Sequence, residues 1–229
     1  MRESALEAFK NAEEFAYANS SGGHELSRRA KNLLEESRDF IASYFGAAPS
    51  EITFTSGGTE ADNWVIKAPF MNSKNSQNLV TSKIEHEAVL ASAEWLETQG
   101  QGVNYASCNT DGQVDVNEFL DKCNNDTAIA SLMYANNETG VVQQIEKIAK
   151  EVKTKNPEIL FHSDVVQAVS SETLDFHKLG IDSAAVSGHK IGGPKGIGIM
   201  FLSSKYKLPN YFHGGKQELE KRAGTVNVS

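Results

Sequence analysis

The sequence predicts an α/β fold in which a mostly parallel sheet is flanked by helices on both faces. One observation behind this prediction is that segments with helical periodicity alternate with short apolar or β-branched runs, joined by short connections. Another is that glycine and polar residues recur directly after the apolar runs, where ligands collect in open α/β sheets. The chain of 229 residues contains no repeat or proline-rich linker, so we predict one domain over residues 1–229.

The predicted elements follow in chain order. Helical spacing runs from Arg2 to about Tyr17 and from His24 to Phe45, and Gly46 is placed to end the second helix. Later helices are predicted near 85–98 and 143–155, with a helical run after Thr59 and a short one starting at Asp164. The apolar runs that predict strands lie near 52–55, 78–82, 103–106, 128–134, 159–162, 183–187 and 197–202.

Composition and charge exclude several classes of protein. The net charge of −8 is accompanied by no basic block, so nucleic acid is not an expected partner. No apolar stretch approaches membrane-spanning length and the amino terminus does not resemble a signal peptide, so we expect a cytoplasmic protein without a membrane anchor. Cys108 and Cys123 fit neither a CxxC metal pattern nor a disulfide scaffold.

The first candidate site lies at 56–60, where Ser-Gly-Gly-Thr-Glu joins a predicted strand to a helix. Gly58 and Thr59 offer free amides and a hydroxyl at a helix amino terminus, which favours an anion such as phosphate. The run is neither a P-loop nor a dinucleotide fingerprint, so the phosphate need not belong to a nucleotide. An ordinary glycine turn with a threonine cap is the simpler interpretation of this run alone.

The second candidate is Lys190, in the run Ser-Gly-His-Lys that directly follows the apolar strand 183–187. A lysine that ends a buried strand can be held neutral, and a neutral amine forms Schiff bases. Ser187 and His189 could bind an anion beside it. A solvated surface lysine remains the alternative.

The third candidate is the pair Asp164 and Gln167, which follows the strand near 159–162. The aspartate could pair with a protonated ring nitrogen of a heteroaromatic cofactor and the glutamine could reach a ring substituent, although Asp164 could instead cap a helix. We do not predict a metal site, because we expect His162 and Asp164 to face opposite sides of their strand and no third ligand has a suitable spacing.

Two further polar groups follow predicted strands. They are His86 and the run Asn-Asn-Glu-Thr-Gly, which contains Asn137. Alone, the first fits a structural histidine and the second a polar turn. Because all five groups fall at one edge of one predicted sheet, we predict that they converge on a single site.

These runs, in this order and spacing, resemble the cysteine desulfurases, which are enzymes dependent on pyridoxal 5'-phosphate (PLP). The resemblance implies the fold type I, or aspartate aminotransferase-like, architecture. The cysteine desulfurases fall among the class V aminotransferase-like proteins. The resemblance extends from about Asn19 to the carboxyl terminus. It rests on the runs SGGTEADN at 56–63, EH at 85–86, NNETGVVQ at 136–143, HSDVVQ at 162–167 and SGHKIGGPKG at 187–196.

The resemblance implies a role for each matching residue. Lys190 would carry the cofactor as a Schiff base and His86 would stack on its pyridine ring. Asp164 would pair with the ring nitrogen, while Gln167 and Asn137 would approach the ring hydroxyl.

The same resemblance implies how the phosphate would be held. Thr59, Ser187 and His189 would bind it, with support from the Gly58 amide. The runs HGGKQE at 213–218 and RAGT at 222–225 also resemble the family's glycine-rich segment that reaches the neighbouring subunit. Thr225 would therefore reach the phosphate of the partner subunit in a homodimer.

The resemblance covers the large, cofactor-binding domain of the family. The family also has a first strand and a smaller carboxyl-terminal domain, which carries the sulfur-accepting cysteine and the arginine that binds the substrate carboxylate. We expect these parts to have no counterpart within residues 1–229. The complete enzyme would convert cysteine to alanine and pass a persulfide to an acceptor protein for sulfur or iron–sulfur cluster supply. Alternatives are another class V enzyme, such as a selenocysteine lyase, aminotransferase or epimerase, or a silent chain that only binds PLP. We expect this chain alone not to desulfurate cysteine at a useful rate.

Overall fold

The computed structural model describes residues 1–71 and 77–229. The helices are α1 (Glu3–Phe15), α2 (Glu25–Tyr44), α3 (Gly58–Met71), α4 (Glu87–Thr98), α5 (Val116–Lys122) and α6 (Ile145–Lys155). The strands are β1 (Ile52–Thr55), β2 (Asn78–Ser82), β3 (Gly102–Ala106), β4 (Thr127–Ser131), β5 (Leu160–Asp164), β6 (Ser183–Ser187) and β7 (Gly198–Leu202).

In the described part of the chain these strands form one seven-stranded sheet in the order β1-β7-β6-β5-β4-β2-β3. Strands β3, β2, β4, β5 and β6 run parallel, and β7 is antiparallel to both β6 and β1. Strand β1 therefore has the same direction as β6. The predicted α/β class with a mostly parallel sheet is confirmed.

Both faces of the sheet are covered, which explains why its strands read as continuous apolar runs. On β7, Ile199 and Phe201 pack into one core, whereas Met200 and Leu202 pack into the other. Helices α3 and α4 cover the second core, in which Trp64 is buried. The alternation follows from the two-residue period of a strand.

One predicted element is wrong. No short helix begins at Asp164, because this residue ends β5 and the chain then continues in turns. The strand is longer than predicted because Ser163 and Asp164 pair with Ala184 and Ala185 of β6. Other boundaries move by a few residues: α4 begins at Glu87 rather than residue 85, and β4 ends at Ser131 rather than residue 134.

The arrangement of strands decides where the polar groups go. The carboxyl ends of β1, β2, β4, β5 and β6 all lie at one edge of the sheet, since these strands share one direction. The residues that follow them are consequently neighbours in space. Within residues 1–71 and 77–229, no helix combines the length and the apolar character that a membrane span requires.

Candidate functional site

A cavity of about 180 Å³ opens at this edge of the sheet. Nine of the ten predicted site residues line it, so the structure brings the sequence runs together at one cavity. The full lining is Gly58, Thr59, Asp62, His86, Met133, Asn137, Asp164, Val166, Gln167, Ser187, His189 and Lys190. A larger groove of about 930 Å³ lies beside α6 and contains none of the predicted residues.

One group of lining residues, the donor cluster, consists of Gly58, Thr59, Ser187 and His189. Gly58 and Thr59 open α3, so their amides stand at the amino terminus of a helix of 14 residues. The Ser187 hydroxyl lies 2.8 Å from Nδ1 of His189. Free amides, two hydroxyls and an imidazole together form a site suited to an anion.

The donor cluster is compact because its backbone segments touch. A Cβ atom on Gly58 would lie 2.8 Å from a methyl group of Val166, and one on Gly198 of β7 would lie 2.6 Å from the Cα atom of Gly57. Glycine is therefore required where β7 passes the turn between β1 and α3.

Lys190 lies on a single 3₁₀ turn, residues Gly188–Ile191, that directly follows β6. The residue is exposed at the cavity rather than buried in the strand. Among the described residues, its ammonium group makes no hydrogen bond or ion pair, so its amine is available to a ligand.

A second group, the acid cluster, consists of Asp62, Asp164 and Glu85. One potential ligand atom from each of Asp62, His86 and Asp164 lies within 4.8 Å of the others. The sequence predicted no such grouping, because Asp62 lies inside α3, in the run at 56–63, and no role was predicted for it. Glu85 lies behind the cavity, where its Oε1 accepts hydrogen bonds from the Met133 amide and the Ser82 hydroxyl.

Burial dominates the electrostatics of the acid cluster. It raises the pKa of Asp62 to about 8 and the pKa of Glu85 well above its usual range. Burial, and next to it the charge of Asp62, raise the pKa of Asp164 to about 7, although the hydrogen bond from the Val166 amide acts in the opposite direction. Three carboxyl groups in one dry region cannot all ionise unless a cation joins them.

His162 supports the acid cluster from inside β5. Its Nε2 lies 3.1 Å from Oδ1 of Asp62, and burial lowers the pKa of the imidazole to about 4, so both partners of this pair are neutral near pH 7. The expectation that His162 and Asp164 face opposite sides is wrong. Residues two apart on a strand share a face, and Asp62 of α3 contacts that face.

Thr225 and the two cysteines lie elsewhere. Thr225 is exposed and does not line the cavity within this chain. Cys123 is buried, and burial raises its thiol pKa to about 11. Cys108 is exposed, beyond β3, and neither thiol lines the cavity. Neither of these two cysteines therefore offers a thiolate to a ligand in the cavity.

Comparison with known families agrees with this geometry. The family model described as aminotransferase class-V matches residues 3–228. The chain belongs to this family. Its relatives include the protein named cysteine desulfurase IscS of Methanosarcina thermophila, 41% identical over 213 residues, which are 93% of this chain and 52% of the relative. The protein of the same name from Dictyoglomus turgidum is 38% identical over 100% of this chain and 58% of its own length.

Solved structures give the same result. A NifS-like protein superposes with a TM-score of 0.97 at 35% identity, over 100% of this chain and 63% of that one. A structure described as SspA in complex with cysteine superposes with a TM-score of 0.94 at 34% identity, over 100% of this chain and 66% of that one. The chain thus spans about half to two thirds of the length of these relatives. Fold type I, as predicted, is confirmed.

The cofactor of this family is PLP, and the residues of the cavity fit it. PLP has an anionic phosphate, a ring nitrogen that accepts a proton, and an aldehyde that reacts with amines. The donor cluster suits the phosphate, the buried Asp164 carboxyl suits a cationic ring nitrogen, and the free amine of Lys190 suits the aldehyde. All three lie on one cavity.

Proposed function

We propose that this chain is the PLP-binding large domain, over residues 1–229, of a cysteine desulfurase, and that Lys190 is the residue that carries the cofactor. The observation that carries the proposal is the single cavity on which Lys190, Asp164 and the donor cluster meet. The identities of 38–41% to proteins named cysteine desulfurase support the choice of reaction within the family.

Each of these residues of the cavity has a separate proposed role in holding the cofactor. The donor cluster would bind the phosphate, and Lys190 would hold the cofactor covalently and exchange protons at the substrate α-carbon. His86 would cover the ring, while Gln167 and Asn137 would contact its hydroxyl. When bound, PLP withdraws electrons from the α-carbon of an amino acid.

Asp164 keeps the ring nitrogen protonated. Its carboxyl group is only partly ionised in the cavity at pH 7, because burial raises its pKa to about 7. A cationic ring nitrogen beside it would favour the ionised form, and the resulting charge-assisted bond would hold the proton on the ring.

The substrate we propose is cysteine, which is converted to alanine while its sulfur passes to a thiol as a persulfide. Transfer of the sulfur needs a positioned thiolate, and neither Cys108 nor Cys123 lines the cavity. We therefore assign the acceptor thiol to a part of the protein outside this chain. We assign the group that binds the substrate carboxylate in the same way. We further propose a cytoplasmic homodimer in which Thr225 contacts the partner's phosphate, and a separate sulfur-acceptor protein that leads to iron–sulfur cluster assembly.

Borohydride trapping tests the proposal directly. The purified chain is incubated with PLP, reduced and digested, and the phosphopyridoxyl label is located by peptide mapping. We expect the label on Lys190 and its loss in Lys190→Ala. Lys195→Ala is the matched control, because it removes a lysine from the same glycine-rich loop and should leave labelling intact. A label on another lysine, or none on a folded chain, would contradict the assignment.

A further inference from the structure

The carboxyl-terminal part of the chain returns to the beginning of the sheet. Residues 213–225, the return segment, contain one 3₁₀ turn and otherwise no regular structure. Two of their side chains, those of Glu218 and Arg222, insert beside β1 and the turn that leads from β1 into α3. These side chains lie more than 150 residues along the chain from their partners, and the sequence did not predict these contacts.

Glu218 makes the first of these contacts. Its side chain is fully buried, and it forms an ion pair with the buried Arg38, with Nη2 to Oε1 at 2.9 Å. Its Oε2 also accepts a hydrogen bond of 2.7 Å from the Phe54 amide of β1. Arg38 in turn donates to the Ile52 carbonyl at 2.8 Å. The pair therefore fixes the return segment to the edge strand of the sheet.

Arg222 makes the second contact, at the donor cluster itself. It binds the Glu60 carboxylate with two nitrogens, at 2.5 Å and 3.0 Å, and Oε2 of Glu60 accepts a hydrogen bond of 2.8 Å from the Ser56 amide. Burial alone would raise the pKa of Glu60, but the bonds from Arg222 and Ser56 hold it below its usual range. A continuous path thus joins the return segment to the turn before α3.

The backbone of the return segment is strained where it makes these contacts. Glu218, Leu219 and Glu220 have φ angles of 48°, 58° and 66°, although none is glycine. Such a run persists only where surrounding contacts over-determine it. The buried ion pair of Glu218 and the bidentate pair of Arg222 are those contacts.

Glu60 poses an electrostatic problem for an anion site. It is the third residue of α3, so its carboxylate lies in the helical turn whose amides belong to the donor cluster. A carboxylate there competes with a bound anion for the positive end of the helix dipole. The Arg222 guanidinium removes this competition because it neutralises Glu60 while leaving the Ser56 amide bonded.

We propose that Arg222 and Glu60 are positioning residues for anion binding. Their ion pair holds the turn at Ser56–Gly58 and cancels the Glu60 charge. The donor cluster therefore accepts phosphate only while the return segment is docked. This inference rests on the proposed function, in that the anion is the cofactor phosphate. Neither residue touches the cofactor; both act through the turn.

The test measures binding of inorganic phosphate and of PLP to the full chain by titration, together with urea unfolding. We expect Arg222→Gln to weaken both ligands by about tenfold, because it leaves a buried, uncompensated carboxylate beside the site. Glu60→Gln keeps an acceptor for the Ser56 amide and leaves Arg222 positive, so it should bind phosphate at least as tightly as the wild type.

The two variants should therefore change phosphate affinity in opposite directions or, at the least, only Arg222→Gln should weaken it. If the ion pair had a purely structural role, both variants would weaken binding in proportion to their loss of stability. Equal weakening by the two variants would overturn the proposal, as would unchanged phosphate affinity in Arg222→Gln. Should Arg222→Gln fail to fold, Arg222→Lys and Glu60→Gln decide: weaker phosphate binding by Glu60→Gln would overturn the electrostatic role.

Lys216→Gln is the matched control, because it removes an exposed ion pair with Glu220 from the same segment. It should leave both affinities unchanged. Hydrogen exchange provides an independent measurement: phosphate should slow exchange over 218–225 in the wild type and not in Arg222→Gln. Failure of the proposed function is distinguishable, since the wild type would then not carry PLP on Lys190 at all.

Discussion

The donor cluster and the acid cluster share one cavity but depend on different physical terms. The donor cluster is made of backbone amides, two hydroxyls and an imidazole, and it exists because glycines let three chain segments approach closely. The acid cluster is made of buried carboxyl groups, and its state is set by the loss of water around them. One side of the cavity should therefore be sensitive to added volume and the other to charge and pH.

The acid cluster lowers the stability of the protein when no cation is bound. An acid whose pKa is raised by folding binds its proton more tightly in the folded state. Below about pH 4 both states are protonated and Asp164 has no effect. As pH rises towards its folded pKa of about 7, the unfolded chain gains by ionising and the folded chain does not, so the folded state is progressively disfavoured.

The largest effect we predict is that of Gly198→Ala on the donor cluster. The new methyl group would lie 2.6 Å from the Cα atom of Gly57 and 2.6 Å from the Val186 carbonyl oxygen, and backbone cannot move aside as a flexible side chain does. We expect a loss of about 3 kcal/mol in the free energy of unfolding, measured by urea, with weakened PLP binding. Gly23→Ala, where no atom lies within 4 Å, is the control.

This variant also tests the comparison between clusters. Its destabilisation should be the same at pH 5 and pH 8, because it adds volume and changes no charge. A strongly pH-dependent loss would show that the two clusters are not separate.

The next largest effect is that of Asp164→Asn on the acid cluster. The amide oxygen can still accept the hydrogen bond from the Val166 amide, while the titrating group is removed. Relative to the wild type, the cofactor-free variant should gain on the order of 2 kcal/mol at pH 8 and almost nothing near pH 4. Urea unfolding at the two pH values measures this difference.

The same variant should bind PLP less well and shift its absorption spectrum, since an amide cannot hold the ring nitrogen protonated. Stability and cofactor retention thus move in opposite directions. An unchanged spectrum, or an equal change in stability at both pH values, would contradict this role. It would show that Asp164 only accepts the hydrogen bond from the Val166 amide.

The smallest effect is that of Ser187→Ala on the donor cluster. It removes the hydroxyl that contacts Nδ1 of His189 and leaves the helix amides in place. We expect affinity for inorganic phosphate to fall by about fivefold, equivalent to roughly 1 kcal/mol, with no pH dependence of stability. Ser37→Ala is the control. It removes a hydroxyl on the exposed face of α2 that donates to the Leu33 carbonyl, and it should leave phosphate binding unchanged. Equal effects of both variants would contradict the role of Ser187.

Much of the site followed from the sequence because it lies in runs that directly follow strands. Lys190, Asp164 and His86 were found in this way, and the structure places them on one cavity. Asp62 was missed since it lies within α3 and faces the cavity only because α3 packs on the sheet. The length of β5 was missed because Ser163 and Asp164 are polar, and only their pairing with β6 makes them strand residues.

What the sequence by itself determined is the fold class, the family and nine of the cavity residues, because periodicity and strand-end runs are local properties of the chain. The tertiary structure alone decided the acid cluster and the contacts of the return segment. Asp62 meets His162, Arg222 meets Glu60 and Glu218 meets Arg38 across 100 to 180 residues. The interaction energies of these pairs depend on burial and charge in an environment from which water is excluded. That environment exists only after the distant segments have packed together.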